Sequence, residues 1–212
     1  MNTLSTIDHK LPRGAAKFLS LLFHPLTMMT WMVAFVMFGL ASPLTYTSPI
    51  VTYVITTVCF MTLAVPCLFY GLLSLLGAVR KRESDGRRTS IMMLVVVAVC
   101  YTCCGWVFDD VVVLFLIRKM LYTATAVVLL LLLFELFYPL CYHTTAMGAV
   151  LGMMWMLLVV GNYGLLYPFI FGILVAGALF SARLYLTDCT LGSALWGLLL
   201  GFAAACLLLV VI

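Results

Sequence analysis

Seven apolar stretches of membrane-spanning length follow one another along this chain, separated by short polar turns, and that succession restricts the fold more than any motif does. About 20 apolar residues in a helix cross the hydrocarbon core of a bilayer. The stretches fall at about 22–42, 50–79, 90–107, 112–137, 143–160, 165–186 and 190–211. They are continuous rather than alternating, which argues against the segments of about 10 residues that build an outer-membrane barrel. Composition agrees: 66% of the 212 residues are hydrophobic and 8% charged, where a soluble domain keeps about 25% charged. A chain this poor in charge cannot cover a water-facing surface. In lipid, a helix satisfies its own backbone hydrogen bonds, so the expected fold is all-α: a polytopic transmembrane helical bundle of about seven helices.

The first 21 residues, with Asp8, Lys10, Arg13 and Lys17, read as a polar N-terminal arm, and residues 22–212 as a single transmembrane helical domain. The first apolar stretch is too long for a cleavable signal peptide and lacks a small-residue cleavage site. Pro43 and Pro49 bracket a polar turn, and Pro66 predicts a tilt or kink in the second helix.

Counting crossings sorts the charges by side. One face, the near face, collects Lys10, Arg13, Lys17, Arg80, Lys81, Arg82, Arg87, Arg88 and Arg183, leaving Arg118 and Lys119 for the far face. Cytoplasmic loops carry an excess of Lys and Arg, so the near face is expected to be cytoplasmic. A phosphate site would concentrate Arg on one side in the same way.

Arg88, His143 and Arg183 stand in three separate loops or helix ends, all on the near face. Arginine offers a planar fork of donors that matches phosphate oxygens, and histidine can protonate a leaving oxygen. The set therefore suits an anionic headgroup. The plainer reading makes the two arginines interfacial anchors and His143 a helix start.

The segment Ser181-Ala-Arg183-Leu-Tyr-Leu-Thr-Asp-Cys189-Thr, followed by a helix with Gly197 and Gly201, resembles the third signature of the type 2 phosphatidic acid phosphatase family. Tyr142-His143-Thr-Thr-Ala-Met-Gly148 resembles its second signature, a His opening a glycine-bearing helix. Lys81 and Arg88, seven residues apart in Lys81–Arg88-Thr-Ser, resemble its first. Phe23-His24-Pro25-Leu26 is similar to the start of bacterial members with an extra leading helix. The resemblance spans most of residues 20–205. It implies a metal-free lipid-phosphate phosphatase in which Lys81, Arg88 and Arg183 bind phosphate, His143 protonates the leaving group, and a third-signature residue attacks phosphorus.

The attacking position departs from the pattern. Where the family has His, this chain has Cys189; at the carboxylate position it has Ser193, and Cys141 stands two residues before His143. Cys189 is a candidate nucleophile if Arg183 and a helix N-terminus lower its pKa, although the adjacent Asp188 opposes this. Its alternatives are a small packing residue, a ligand contact or a redox-sensitive thiol. Cys59, Cys67, Cys100, Cys103, Cys104 and Cys206 lie in apolar helices and read as small hydrophobes. Gly148/Gly152 and Gly197/Gly201 read as sites of close helix packing, and Glu135 as an acid near the near-face end of its helix.

Two classes of function remain. One is a catalytically impaired relative (a pseudoenzyme) that binds an anionic phospholipid or isoprenoid phosphate headgroup, or serves as a membrane subunit with protein partners. The other is an active lipid-phosphate or polyprenyl-diphosphate phosphatase, a phosphoric monoester hydrolase. Neither requires a metal, a cofactor or nucleic acid. The bacterial resemblance implies the cytoplasmic (inner) membrane. A transporter is the weaker reading, because no paired acids or interrupted helices line the bilayer middle.

Overall fold

The computed structural model describes residues 13–39, 48–75, 86–111, 114–138, 140–186 and 189–211. Among these, helices account for nearly every residue and no strand occurs. In chain order they are α1 (Arg13–Leu22), α2 (Pro25–Gly39), α3 (Ser48–Cys59), α4 (Val65–Leu75), α5 (Gly86–Val107), α6 (Phe115–Glu135), α7 (Tyr142–Val159), α8 (Leu166–Tyr185) and α9 (Leu191–Val211). Six continuous helical spans are long and apolar enough to cross a membrane, and the bent pair α1–α2 makes a seventh. The chain is an integral membrane protein with an all-α polytopic bundle.

Two local departures from straight helices have clear causes. The first expected helix is broken at Phe23–His24, where α1 meets α2 at 61°. Pro25 begins α2, a position where its missing N–H costs nothing. Part of the expected polar arm is thus helical: Arg13–Leu22 lies against α8, with Ala16 and Ser20 buried and Lys17, Phe18 and Leu21 exposed. Residues 1–12 of the arm lie outside the described part. The second departure is a π-helical turn, Phe60–Ala64, between α3 and α4, in which the Val65 N–H bonds to the Phe60 carbonyl. Pro66 cannot donate to the carbonyl four residues back, and its ring crowds that carbonyl; the wider turn accommodates both effects. Thr62, wholly buried in this turn, meets Thr30 of α2 at 2.9 Å between hydroxyl oxygens.

The bundle is organised around α7, of which 67% is buried, against 22–39% for the other straight spans. It runs parallel to α9, with α8 as the return crossing. Lipid tails are as apolar as leucine, so burial of apolar surface does not draw helices together in a bilayer, and close packing of small residues must. A Cβ on Gly148 would sit 2.2 Å from the Leu198 carbonyl oxygen, and one on Gly152 2.5 Å from that of Phe202. Reciprocally, a Cβ on Gly201 would meet the Thr145 carbonyl oxygen at 2.1 Å, and one on Gly197 the Thr145 hydroxyl at 2.6 Å. These backbones touch because both sides lack side chains.

At the far face, α7 stops in a Schellman motif. Asn162 N–H bonds to Leu157 O and Gly161 N–H to Leu158 O, both at 3.0 Å, with Gly161 at φ +100°. Gly164 then packs on the end of α2, where a Cβ would fall 2.2 Å from the Gly39 carbonyl oxygen. Arg118, in the first turn of α6, is paired with Asp109 and lies 5.3 Å from the Phe115 ring centroid. The outer faces carry exposed large apolar residues such as Trp106, Phe137, Tyr167 and Trp196, as a lipid-facing surface requires.

Gly201→Ala should lower the midpoint of thermal unfolding in detergent, with a loss of about 1–3 kcal/mol for an overpacked contact that only backbone movement can relieve. Gly177→Ala on α8, where a Cβ meets nothing within 4 Å, should leave the midpoint unchanged or raise it. Equal midpoints for the two variants would refute the glycine contact as the basis of α7–α9 packing.

Candidate functional site

The near face gathers the ends of α1, α6 and α8 and the starts of α2, α7 and α9. The bend between α1 and α2 sets His24 at the N-cap position of α2. Its Nδ1 accepts the Leu26 N–H at 3.4 Å, and its carbonyl accepts the N–H groups of Thr27 and Met28 at 2.8 and 3.1 Å. The Thr27 hydroxyl donates to the carbonyls of Leu22 and His24, both at 2.8 Å, which fixes the bend. With Nδ1 used as an acceptor, the neutral ring carries its proton on Nε2 and presents a donor.

His143 is the second residue of α7 and is only 3% exposed. Its ring meets His24 edge-on at 5.2 Å and Tyr142 at 4.6 Å between centroids. The backbone of Ser20 lies beside it, and Nδ1 is buried without a hydrogen-bond partner among the described residues. Arg183, in the last turn of α8, is also buried, and its Nη1 donates to the Ser20 hydroxyl at 3.0 Å. A cation there complements the negative end of α8, and its charge reaches both imidazoles. Burying a guanidinium is costly unless anionic or hydrogen-bonding partners surround it. Around it stand the positive N-terminal ends of α2 and α7, neither with an acidic residue in its first turn.

Sequence reasoning singled out five site residues. His143 and Arg183 come together as the crossing count requires. Arg88 stands in the first turn of α5, on the same face, with its side chain outside the described part, and Lys81 also lies outside the described residues. Cys189 is bonded to Cys141 in a disulfide with Cα atoms 5.9 Å apart, so its sulfur is not a free thiolate here. Ser193, at the family's carboxylate position, serves the start of α9. Its N–H donates to the Thr190 hydroxyl at 3.2 Å, and its own hydroxyl to the Thr190 carbonyl at 3.1 Å.

Beneath this corner opens a cavity of about 670 Å³ between α2, α4, α5, α6 and α7. His24, Ser90, Glu135 and Tyr142 line its polar end, and Val97 and Met153 its apolar depth. Along α7 the lining runs from Tyr142 to Met153, about 16 Å at 1.5 Å per residue. That is half of the roughly 30 Å hydrocarbon core, the depth of one leaflet.

Three participants were not assigned from sequence: Ser20, His24 as the partner of His143, and Cys141 as the partner of Cys189. The cysteines gave a signal, since each begins a helix on the same face. His24 gave a weaker one, through its place before Pro25. Set against known proteins, the chain matches no family model, no curated protein and no solved structure.

Proposed function

We propose that this protein binds the phosphate of an anionic lipid, a phospholipid or an isoprenoid phosphate, as a non-hydrolysing relative of the type 2 phosphatidic acid phosphatases. The observation that carries the reading is the cluster of buried Arg183 and His143 with half-buried His24, of which His24 lines a largely apolar cavity about one leaflet deep. Arg183 supplies charge-assisted donors to phosphate oxygens. His24 adds a donor through Nε2, and the buried Nδ1 of His143 takes a proton from a protonated phosphate oxygen or carries one to it. The cavity takes the apolar chain. Ligand pockets of this kind enclose about 300–1,000 Å³ with few polar groups.

The binding reading is preferred over turnover because no attacking group is in place among the described residues. The Cys189 sulfur is held in a disulfide, and His24, with Nδ1 accepting from the backbone, presents a proton rather than a lone pair at Nε2. Without a nucleophile the remaining groups keep little of the rate, since catalytic groups act as a unit. The resemblance to bacterial members favours a cytoplasmic (inner) membrane as the location, and a membrane subunit with protein partners fits the same binding role.

Purified protein should retain phosphatidate in detergent micelles while releasing no phosphate from phosphatidate or a polyprenyl diphosphate. Arg183→Ala should weaken retention by about tenfold or more, the loss expected for a charged hydrogen bond worth about 1.5–3 kcal/mol. Arg183→Lys should recover only part, because an ammonium lacks the bidentate fork. The unfolding midpoint of each variant separates lost binding from lost structure. Cys189→Ala should leave phosphate release at background. Robust release by the native chain, abolished by His143→Ala, would replace this proposal with the active phosphatase.

A further inference from the structure

Cys141 and Cys189 are bonded at the starts of the two most closely packed helices. Cys141 is the N-cap residue of α7, two residues before His143, and Cys189 lies just before α9. The six free cysteines all lie in the apolar spans. The two bonded residues are unequally placed. Cys141 is 3% exposed, whereas Cys189 is half-buried and is followed by exposed Thr190 and Leu191. Thiol–disulfide exchange begins when a thiolate reaches one sulfur, so access selects Cys189 for attack and makes Cys141 the leaving group. Cys141 is suited to leaving. It stands at the start of an 18-residue helix with no acid in its first turn, and helix N-termini stabilise thiolates.

The bond is not what holds α7 to α9. The glycine contacts do so through the membrane, and the Cys141 N–H reaches the Ser193 carbonyl at 3.5 Å independently of the sulfurs. What the bond restrains is local. It fixes the first turn of α7, where the Thr144 and Thr145 hydroxyls donate to the Cys141 carbonyl at 2.9 and 3.0 Å and where His143 is held. We propose that Cys141–Cys189 is a reversible exchange site for a small thiol, whose redox state sets how firmly the first turn of α7 holds His143. The external thiolate bonds to the Cys189 sulfur, the S–S bond breaks, and Cys141 leaves with the electron pair and takes up a proton. A second external thiolate then attacks the external sulfur of the mixed disulfide and releases Cys189. Two external thiols are thereby oxidised to one disulfide, and the disulfide of the chain is reduced to two thiols. Resting on the headgroup reading, the consequence is tighter binding of the anionic lipid by the oxidised chain, because a pre-organised corner loses less freedom on binding.

The full chain in detergent micelles, treated with glutathione, tests the exchange and its consequence. Native-state treatment should raise the cysteines alkylated after denaturation from six, the free ones, to eight, the full count. With oxidised glutathione and peptide mapping, Cys141→Ser should carry an adduct at Cys189, while Cys189→Ser should carry none at Cys141. Reduction should cost residues 142–146 their protection from amide hydrogen exchange and leave residues 148–156 protected. Retention of phosphatidate should fall about fivefold or more, the lower end of ordinary coupling between sites. The double variant Cys141→Ser/Cys189→Ser should match the reduced chain and ignore glutathione. A bond that stays closed, adducts on both single variants, or unchanged exchange at the start of α7 would each overturn the proposal. Loss of protection along the whole of α7 would make the bond structural and overturn it too, as would equal retention by the oxidised and reduced chains. The labelling and exchange readouts involve no lipid, so a chain that exchanges as expected but retains no phosphatidate in either state refutes the headgroup reading alone.

Discussion

Everything in this bundle depends on backbone contact between α7 and α9. In water a helix with an apolar stripe is pressed against its neighbours by the solvent; in lipid that pressure is missing, and association rests on dispersion, hydrogen bonds and shape. Four glycines let the two backbones approach until carbonyl oxygens occupy the space that side chains would fill. Close approach over several turns multiplies weak contacts between non-bonded atoms, each worth about 0.1–0.2 kcal/mol. It also explains why α7, rather than a more uniformly apolar helix, lies at the centre. Its small residues admit neighbours on every side, and α2, α6, α8 and α9 all pack on it.

A helix held centrally by its small residues can carry a polar residue at its end without exposing it to lipid. His143 is buried because α1, α2 and α8 close over the start of α7, and the same closure brings Ser20, His24 and Arg183 together. The cluster is energetically demanding. A guanidinium and two imidazoles have been placed close to apolar walls, where polar groups depend on their hydrogen-bond partners. Hydrogen bonds to Ser20 and Leu26 offset part of that cost.

Much of the architecture was legible because its causes are local. Apolar run length marks the spans, Pro66 foretells a disturbed helix, and glycines four residues apart mark a close contact. What was missed depends on tertiary placement. No periodicity says that the chain bends at Phe23–His24, since that stretch is apolar on both sides and Pro25 is compatible with a straight continuation as well as with a helix start. Without the bend His24 has no reason to meet His143, 119 positions further along the sequence. Cys141 and Cys189 were each noticed as departures from a family pattern. Their pairing follows only once α7 and α9 are known to be parallel neighbours, with both starts on one face. Of the expected site residues, Arg183 and His143 were readable as neighbours because helix ends on a common face converge.

The disulfide and the glycine seam act on the same pair of helices at different depths, and the combination matters more than either alone. The seam fixes the separation of α7 and α9 through the membrane but leaves their first residues free to splay, as helix ends do when the last contacts are with water and headgroups. The bond between Cys141 and Cys189 closes that end, and the Thr144 and Thr145 hydroxyls, both on the Cys141 carbonyl, tie it to the first turn of α7. His143 sits within that turn, so its ring is positioned from three directions: by α9 through the disulfide, by α1 through Ser20, and by α2 through His24. A site held in this way gives up the adjustability that a moving nucleophile would need and gains a fixed arrangement of donors. Where the resembling family has a residue that forms and breaks a bond to phosphorus, this chain has one committed to a bond with its own neighbour. The residue at the attacking position of the resembling pattern is, in this fold, the one that ties the start of α9 to the start of α7.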